Sequence, residues 1–96
     1  MSEQNIIVNY KEIGQRIRTQ RKKKMLTQGQ LAELTGISLS FVGHVERGSR
    51  AVSVETLARL CKELEMDMHY IVFGDFSGYS ANSSLLRELR EILRRY

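Results

Sequence analysis

Apolar residues recur along the chain at intervals of three and four positions, the spacing of one face of an α-helix. The first segment carries Ile13 and Ile17 on this stripe, and Arg21 continues it one turn further. Proline is absent, and the strict alternation typical of half-buried strands is scarce. The pattern therefore predicts an all-α domain.

Residues typical of helix caps divide this pattern into five helices. Thr27 and Gln30 have the spacing of a capping box in front of the second helix. Glycine, which adopts positive φ without steric cost, follows three of the helices. The predicted segments begin at the caps Asn9, Thr27, Ser38, Ser53 and Asp67, and run to about Met25, Thr35, Arg47, Leu64 and Phe73.

The second and third predicted helices form the most informative segment, residues 27–48. Five apolar residues give them one shared face: Leu31, Leu34, Ile37, Val42 and Val45. Ala32 permits a close helix crossing, and Gly36 permits a sharp turn. Small and polar side chains at 38–44 are then left facing outward, and a helix held out in this way can enter the DNA major groove. The segment predicts a helix-turn-helix DNA-binding regulator.

The C-terminal part has a different organisation. Residues 75–83 are rich in Gly, Ser and Asn and are predicted to be a linker. The helix predicted over 84–96 has an apolar face formed by Leu85, Leu86, Leu89, Ile92, Leu93 and Tyr96. Because so short a helix is marginal in water, this face must be buried, either as a sixth core helix or against a second subunit. The linker favours dimerisation. The predicted organisation is an N-terminal arm at 1–8, a helix-turn-helix domain at 9–74, a linker at 75–83 and a dimerisation helix at 84–96.

Charge and composition narrow the class of protein. The chain has 96 residues and a net charge of +4, and residues 1–52 hold nine basic against four acidic residues. This excess suits attraction to phosphate. Cys61 is the only cysteine, and His44 and His69 have no ligand cluster around them, so we expect neither metal nor cofactor. No catalytic constellation, signal peptide or membrane-length apolar run is present, which predicts a cytoplasmic non-enzyme.

From Ile13 to Gly74 the chain resembles the Cro and cI type of bacterial and phage repressors, the XRE family. The sequence segments that carry the resemblance are IGQRIRTQRKKKMLTQGQLAELTGIS, VERG and VETLARLCKELEMDMHYIVFG. The resemblance implies a five-helix, lambda-repressor-like DNA-binding domain. It also implies a homodimer that binds double-stranded DNA at a near-palindromic operator.

The resemblance assigns roles to individual residues. Arg21 and Glu46 are expected to form a structural ion pair, at least partly buried. Base reading falls to the outward residues of the third helix: Leu39, Ser40, Gly43 and His44. Phosphate contacts are expected from Gln28, Ser38, Arg47, Ser49, Arg50 and Ser53, while the lysines at 22–24 are weaker candidates. Gly43 has no side chain for base reading, so either the helix sits deep in the groove or specificity comes from few side chains and from DNA shape.

We predict a homodimeric repressor that binds an inverted-repeat operator through the helix at 38–47. The antitoxin of a toxin–antitoxin pair and a controller of a restriction-modification operon are alternatives that the same features also suit. An adaptor that binds another protein through the same fold is the alternative outside DNA binding. The sequence does not specify the operator, the target genes or the sign of regulation.

Overall fold

The computed structural model describes residues 7–75 and 90–94. Residues 90–94 are helical, and the described part contains no strand. The predicted all-α fold is therefore confirmed. Its principal helices are α1 (Tyr10–Lys23), α2 (Gln28–Thr35), α3 (Leu39–Arg47), α4 (Val54–Leu64) and α5 (Met68–Phe73).

Each of these five helices begins after a predicted cap. The capping side chains of Asn9, Thr27, Ser38, Ser53 and Asp67 each accept a hydrogen bond from the backbone N–H three residues later. Thr27 and Gln30 complete the predicted capping box. The first helix ends at Lys23 rather than near Met25, because Met25 adopts a positive φ of 59° that ends the helical turn.

The hydrophobic core lies between the five helices. Its buried side chains are Ile13, Ile17, Leu31, Ala32, Val42, Val45, Leu57, Leu60, Cys61, Leu64 and Ile71. Leu34 was expected on the shared apolar face of α2 and α3, but it is 53% exposed. Thr35 is buried in its place, since its hydroxyl donates to the Leu31 carbonyl 2.7 Å away and is thereby satisfied inside the core.

Helix α1 crosses α3 closely at Gly14. A Cβ built on Gly14 would lie 2.1 Å from the Val45 carbonyl oxygen and 2.6 Å from that of Glu46. Only glycine lets the two backbones approach so closely. This crossing fixes how α3 is held against the rest of the domain.

Cys61 is a core residue of α4. Burial, together with the nearby negative charge of Asp67, raises the pKa of the Cys61 thiol to about 11. The thiol is therefore neutral near pH 7, and a neutral thiol is a poor nucleophile.

Parts of the predicted domain division lie outside the described residues. These parts are most of the arm at 1–8, the linker apart from Asp75, and the apolar residues Leu85, Leu86, Leu89 and Tyr96. Of the predicted dimerisation face, Ile92 is 48% and Leu93 is 74% exposed. None of the described helices combines the length and apolar content required to cross a membrane.

Candidate nucleic-acid interface

Helix α3 has two chemically different faces. Its inner face buries Val42, Val45 and Glu46 against the domain. Its outer face carries Leu39, which is 56% exposed, together with the exposed side chains of Ser40 and Arg47. The outer face therefore points away from the core, as expected for a helix that contacts an external partner.

A buried ion pair holds the inner face in place. Arg21 of α1 donates from Nε to Glu46 Oε2 at 2.6 Å and from Nη2 to Glu46 Oε1 at 3.0 Å. Its Nη1 donates to the Leu26 carbonyl oxygen at 2.7 Å. The Arg21 side chain is 9% exposed and that of Glu46 is 2% exposed. This two-pronged geometry links α1, the α1–α2 loop and the end of α3.

Gln28 joins this ion pair, a contact for which the sequence pattern gives no indication. Its side-chain amide nitrogen donates to Glu46 Oε1 at 3.0 Å, and the residue is half-buried. An amide NH₂ group has two hydrogens, so one remains for an external acceptor such as phosphate. Gln28 thus sits between the buried carboxylate and the surface at the start of α2.

The hydroxyl groups of Ser38 and Ser53 cap α3 and α4. Ser38 Oγ accepts from the Phe41 N–H and Ser53 Oγ from the Thr56 N–H, both at 3.1 Å. Both serines are exposed. Each hydroxyl is thus already hydrogen-bonded to the first turn of its helix. The other N–H groups of that turn have no partner within the helix.

His44 and Ser49 form a small polar cluster at the end of α3. His44 Nδ1 lies 2.8 Å from Ser49 Oγ and 3.4 Å from Arg47 Nη2. Ser49 Oγ also donates to the His44 backbone carbonyl oxygen at 3.3 Å, which leaves its lone pairs to accept from the ring. Nδ1 can therefore donate to Ser49 Oγ in one tautomer or accept from Arg47 in the other, and the remaining ring nitrogen Nε2 is correspondingly an acceptor or a donor for a base edge.

Gly43 does not form the open surface that its outward position led us to expect. It is buried, because the Arg47 side chain lies over it. A Cβ on Gly43 would be only 3.0 Å from Arg47 Nη1. Arg47 thus replaces Gly43 on the outer face.

The basic residues near α3 differ in how they are engaged. Arg50 is exposed, and no carboxylate of the described residues forms an ion pair with it. Lys22 and Lys23 are exposed as well. Lys24 instead pairs with Glu65, and this hydrogen-bonded cation lowers the pKa of the Glu65 carboxyl. Nothing in the sequence pattern indicated that pair, because it joins residues far apart in the chain.

Comparison with known proteins agrees with this geometry. A family model described as helix-turn-helix matches residues 17–71, which include α2, the turn and α3. The chain belongs to the XRE-type helix-turn-helix family. The resemblance of the sequence to the XRE family is thereby confirmed.

Named relatives include phage repressors and a control protein. Repressor protein C2 of Salmonella phage P22 is 33% identical over 70 residues, which are 73% of this chain and 32% of the repressor. Control protein C.SmaI of Serratia marcescens is 40% identical over 58 residues, 59% of this chain and 69% of that protein. The chain thus spans only about a third of the P22 repressor.

Solved structures give the same picture. The restriction-modification controller C.AhdI from Aeromonas hydrophila has a TM-score of 0.62 and 39% identity, covering 65% of this chain and 94% of that one. The P22 c2 repressor in complex with a synthetic operator has a TM-score of 0.63 and 33% identity, covering 66% and 96% of the two chains. The predicted lambda-repressor-like fold is therefore confirmed.

Proposed function

We propose that the protein is a homodimeric transcriptional repressor that binds an inverted-repeat operator in double-stranded DNA through α3. The observation that carries this proposal is the contrast within α3, whose inner face is buried while its outer face is presented to solvent. A nine-residue helix anchored along one side can lie in the major groove with its other side toward base edges. The P22 c2 repressor, solved with a synthetic operator, has a similar domain.

Base reading is assigned to the outer face of α3, with Leu39 against a thymine methyl group, and Ser40 and His44 at polar base edges. Phosphate contacts are assigned to the surface around this face: Gln28, Ser38, Ser49, Arg50 and Ser53. In this scheme the second amide hydrogen of Gln28 and the N-terminal N–H groups beside the two serine caps face the DNA backbone. DNA is then the partner, and the protein acts in the cytoplasm as a binding protein rather than an enzyme.

Dimerisation is assigned to the C-terminal helix at 84–96. The exposed Ile92 and Leu93 support this assignment, because two adjacent apolar side chains on a short helix gain stability when a second subunit covers them. A symmetric dimer would place its two α3 helices about 34–36 Å apart, one turn of DNA. Light scattering tests this step: we expect a dimer for the full chain and a monomer for a chain shortened after Ser80. A dimer that survives the shortening would contradict the assignment.

A controller of a restriction-modification operon is the second candidate. It is favoured by the 40% identity to C.SmaI and by the coverage of 94% of the C.AhdI chain. Both candidates require sequence-specific DNA binding, so one experiment addresses them together. The purified protein is footprinted at stated salt on the DNA upstream of its own gene, with and without unlabelled competitor.

The outcome of this experiment is informative in each case. Protection of an inverted repeat supports a regulator that controls its own gene, and a restriction or toxin gene beside the protected site distinguishes the controller and antitoxin roles from the stand-alone repressor. Absence of binding there calls for selection from random DNA. Failure of both would contradict DNA recognition and favour the adaptor role.

A further inference from the structure

Gly43 is an unfavourable residue at its position in the fold. It lies in the middle of α3, where glycine is less favourable than alanine by about 1 kcal/mol. The structure explains its presence, because the Arg47 side chain lies directly over this part of the helix. A Cβ at position 43 would be 3.0 Å from Arg47 Nη1 and 3.7 Å from both Cζ and Nη2. An alanine here would therefore require the guanidinium to shift by a few tenths of an ångström.

The direction of the Arg47 side chain follows from helix geometry. Side chains of an α-helix lean toward its N-terminus, so residue 47 covers the turn that contains residues 43 and 44. The guanidinium accordingly lies over Gly43, with Nη2 3.4 Å from His44 Nδ1. Although its Cα belongs to the last turn of α3, the charged group of Arg47 lies in the middle of the outer face.

The guanidinium also has hydrogen-bonding capacity left. Arg47 is exposed, and within residues 7–75 and 90–94 it forms no ion pair with a carboxylate. Its contact with His44 uses at most one of five N–H donors. A planar pair of these donors matches O6 and N7 of guanine in the major groove.

We infer that Arg47 is a specificity-determining residue that reads a guanine in each half-site, and that Gly43 provides the space in which the Arg47 guanidinium lies. This assignment replaces the phosphate role expected for Arg47, and it rests on the proposed function, in which α3 enters the major groove. It also answers why the outer face has a glycine at its centre: the reading group at this point comes from the following turn.

The test is selection of binding sites from random double-stranded DNA with the full-length protein at fixed salt. Four proteins are compared: the wild type, Arg47→Ala, Gly43→Ala and the matched arginine variant Arg50→Ala. In the wild type we expect a preference for one G·C pair per half-site. In Arg47→Ala this preference should fall roughly fivefold to 150-fold, the range for one good bidentate contact, while the preferences at other positions are retained.

Gly43→Ala separates reading from folding. Alanine favours the helix, so the melting temperature should hold or rise, while the displaced guanidinium should lose part of the same G·C preference. Arg50→Ala should weaken binding without changing the selected sequence. A melting temperature that holds while the preference falls is not expected of a variant that simply unfolds the domain.

Two outcomes would overturn the inference. The first is that Arg47→Ala weakens binding to all sequences equally and leaves the selected site unchanged, as loss of a phosphate contact would. The second is that Gly43→Ala retains the full wild-type preference. If the wild type itself selects no sequence, the proposed function fails instead, and the two failures are therefore distinguishable.

Discussion

The two faces of α3 differ in burial and in hydrogen bonding, although both are formed by the same nine-residue helix. On the inner face Val42 and Val45 are 1% exposed, and the Glu46 carboxylate accepts hydrogen bonds from both Arg21 and Gln28. On the outer face Leu39 and Arg47 lie in solvent. Under the proposed function, one helix separates stability from recognition, so variants of the two faces should fail in different assays.

The largest effect is expected from removing the buried carboxylate of the inner face. Glu46→Ala leaves the Arg21 guanidinium buried without its partner, which costs about 3–5 kcal/mol of unfolding free energy. Because small domains have only about 5–15 kcal/mol in total, the melting temperature should fall steeply. Circular dichroism during thermal and urea unfolding measures the loss.

The control for this variant is Glu33→Ala, which removes an exposed glutamate of α2. Its melting temperature should stay close to that of the wild type. The double variant Arg21→Met with Glu46→Leu removes both charges and should recover much of the stability. A Glu46→Ala protein that melts like the wild type would show that the pair does not hold α3.

The next effect concerns the contact of α3 with α1. Gly14→Ala places a Cβ 2.1 Å from a backbone carbonyl oxygen that cannot move without shifting α3, so we expect a loss of about 1–3 kcal/mol or more. Gly29→Ala is the matched control in α2, where the nearest atom is 3.8 Å away. It should stabilise the domain by up to about 1 kcal/mol through helix propensity. Two glycine-to-alanine changes of the same sign in urea unfolding would contradict this comparison.

How far the sequence predicts this molecule depends on whether the information is local. Caps such as Thr27 with Gln30, and the apolar stripe of α4, are set by residues within one or two turns, so their prediction was possible and is confirmed. Gly14 carried no such signal, because its role depends on the α1–α3 crossing, 31 positions away at Val45. Contacts between distant segments must be seen in the fold.

The candidate site shows the same limit at the level of side chains. Helical spacing identified the outer face of α3, and the family resemblance identified Arg21 and Glu46 as partners. Neither indicated that Gln28 turns toward Glu46, or that Arg47 folds back over Gly43. Both depend on rotamers, and a long side chain chooses its rotamer from neighbours that spacing alone does not specify.

The smallest effect is expected in the loop that follows α3, where Arg50 is exposed and forms no ion pair with a carboxylate of the described residues. Arg50→Ala should leave the melting temperature unchanged and weaken binding to all DNA sequences alike. The slope of log affinity against log salt should become shallower by about one unit, since one fewer counterion is released. Fluorescence anisotropy with operator and scrambled DNA across a salt series measures both quantities.

The control is Lys62→Ala, which removes an exposed charge near the other end of α4 and should leave the slope unchanged. A loss confined to the operator would assign Arg50 to base reading, and the division between the outer face and its surrounding phosphate contacts would then be wrong.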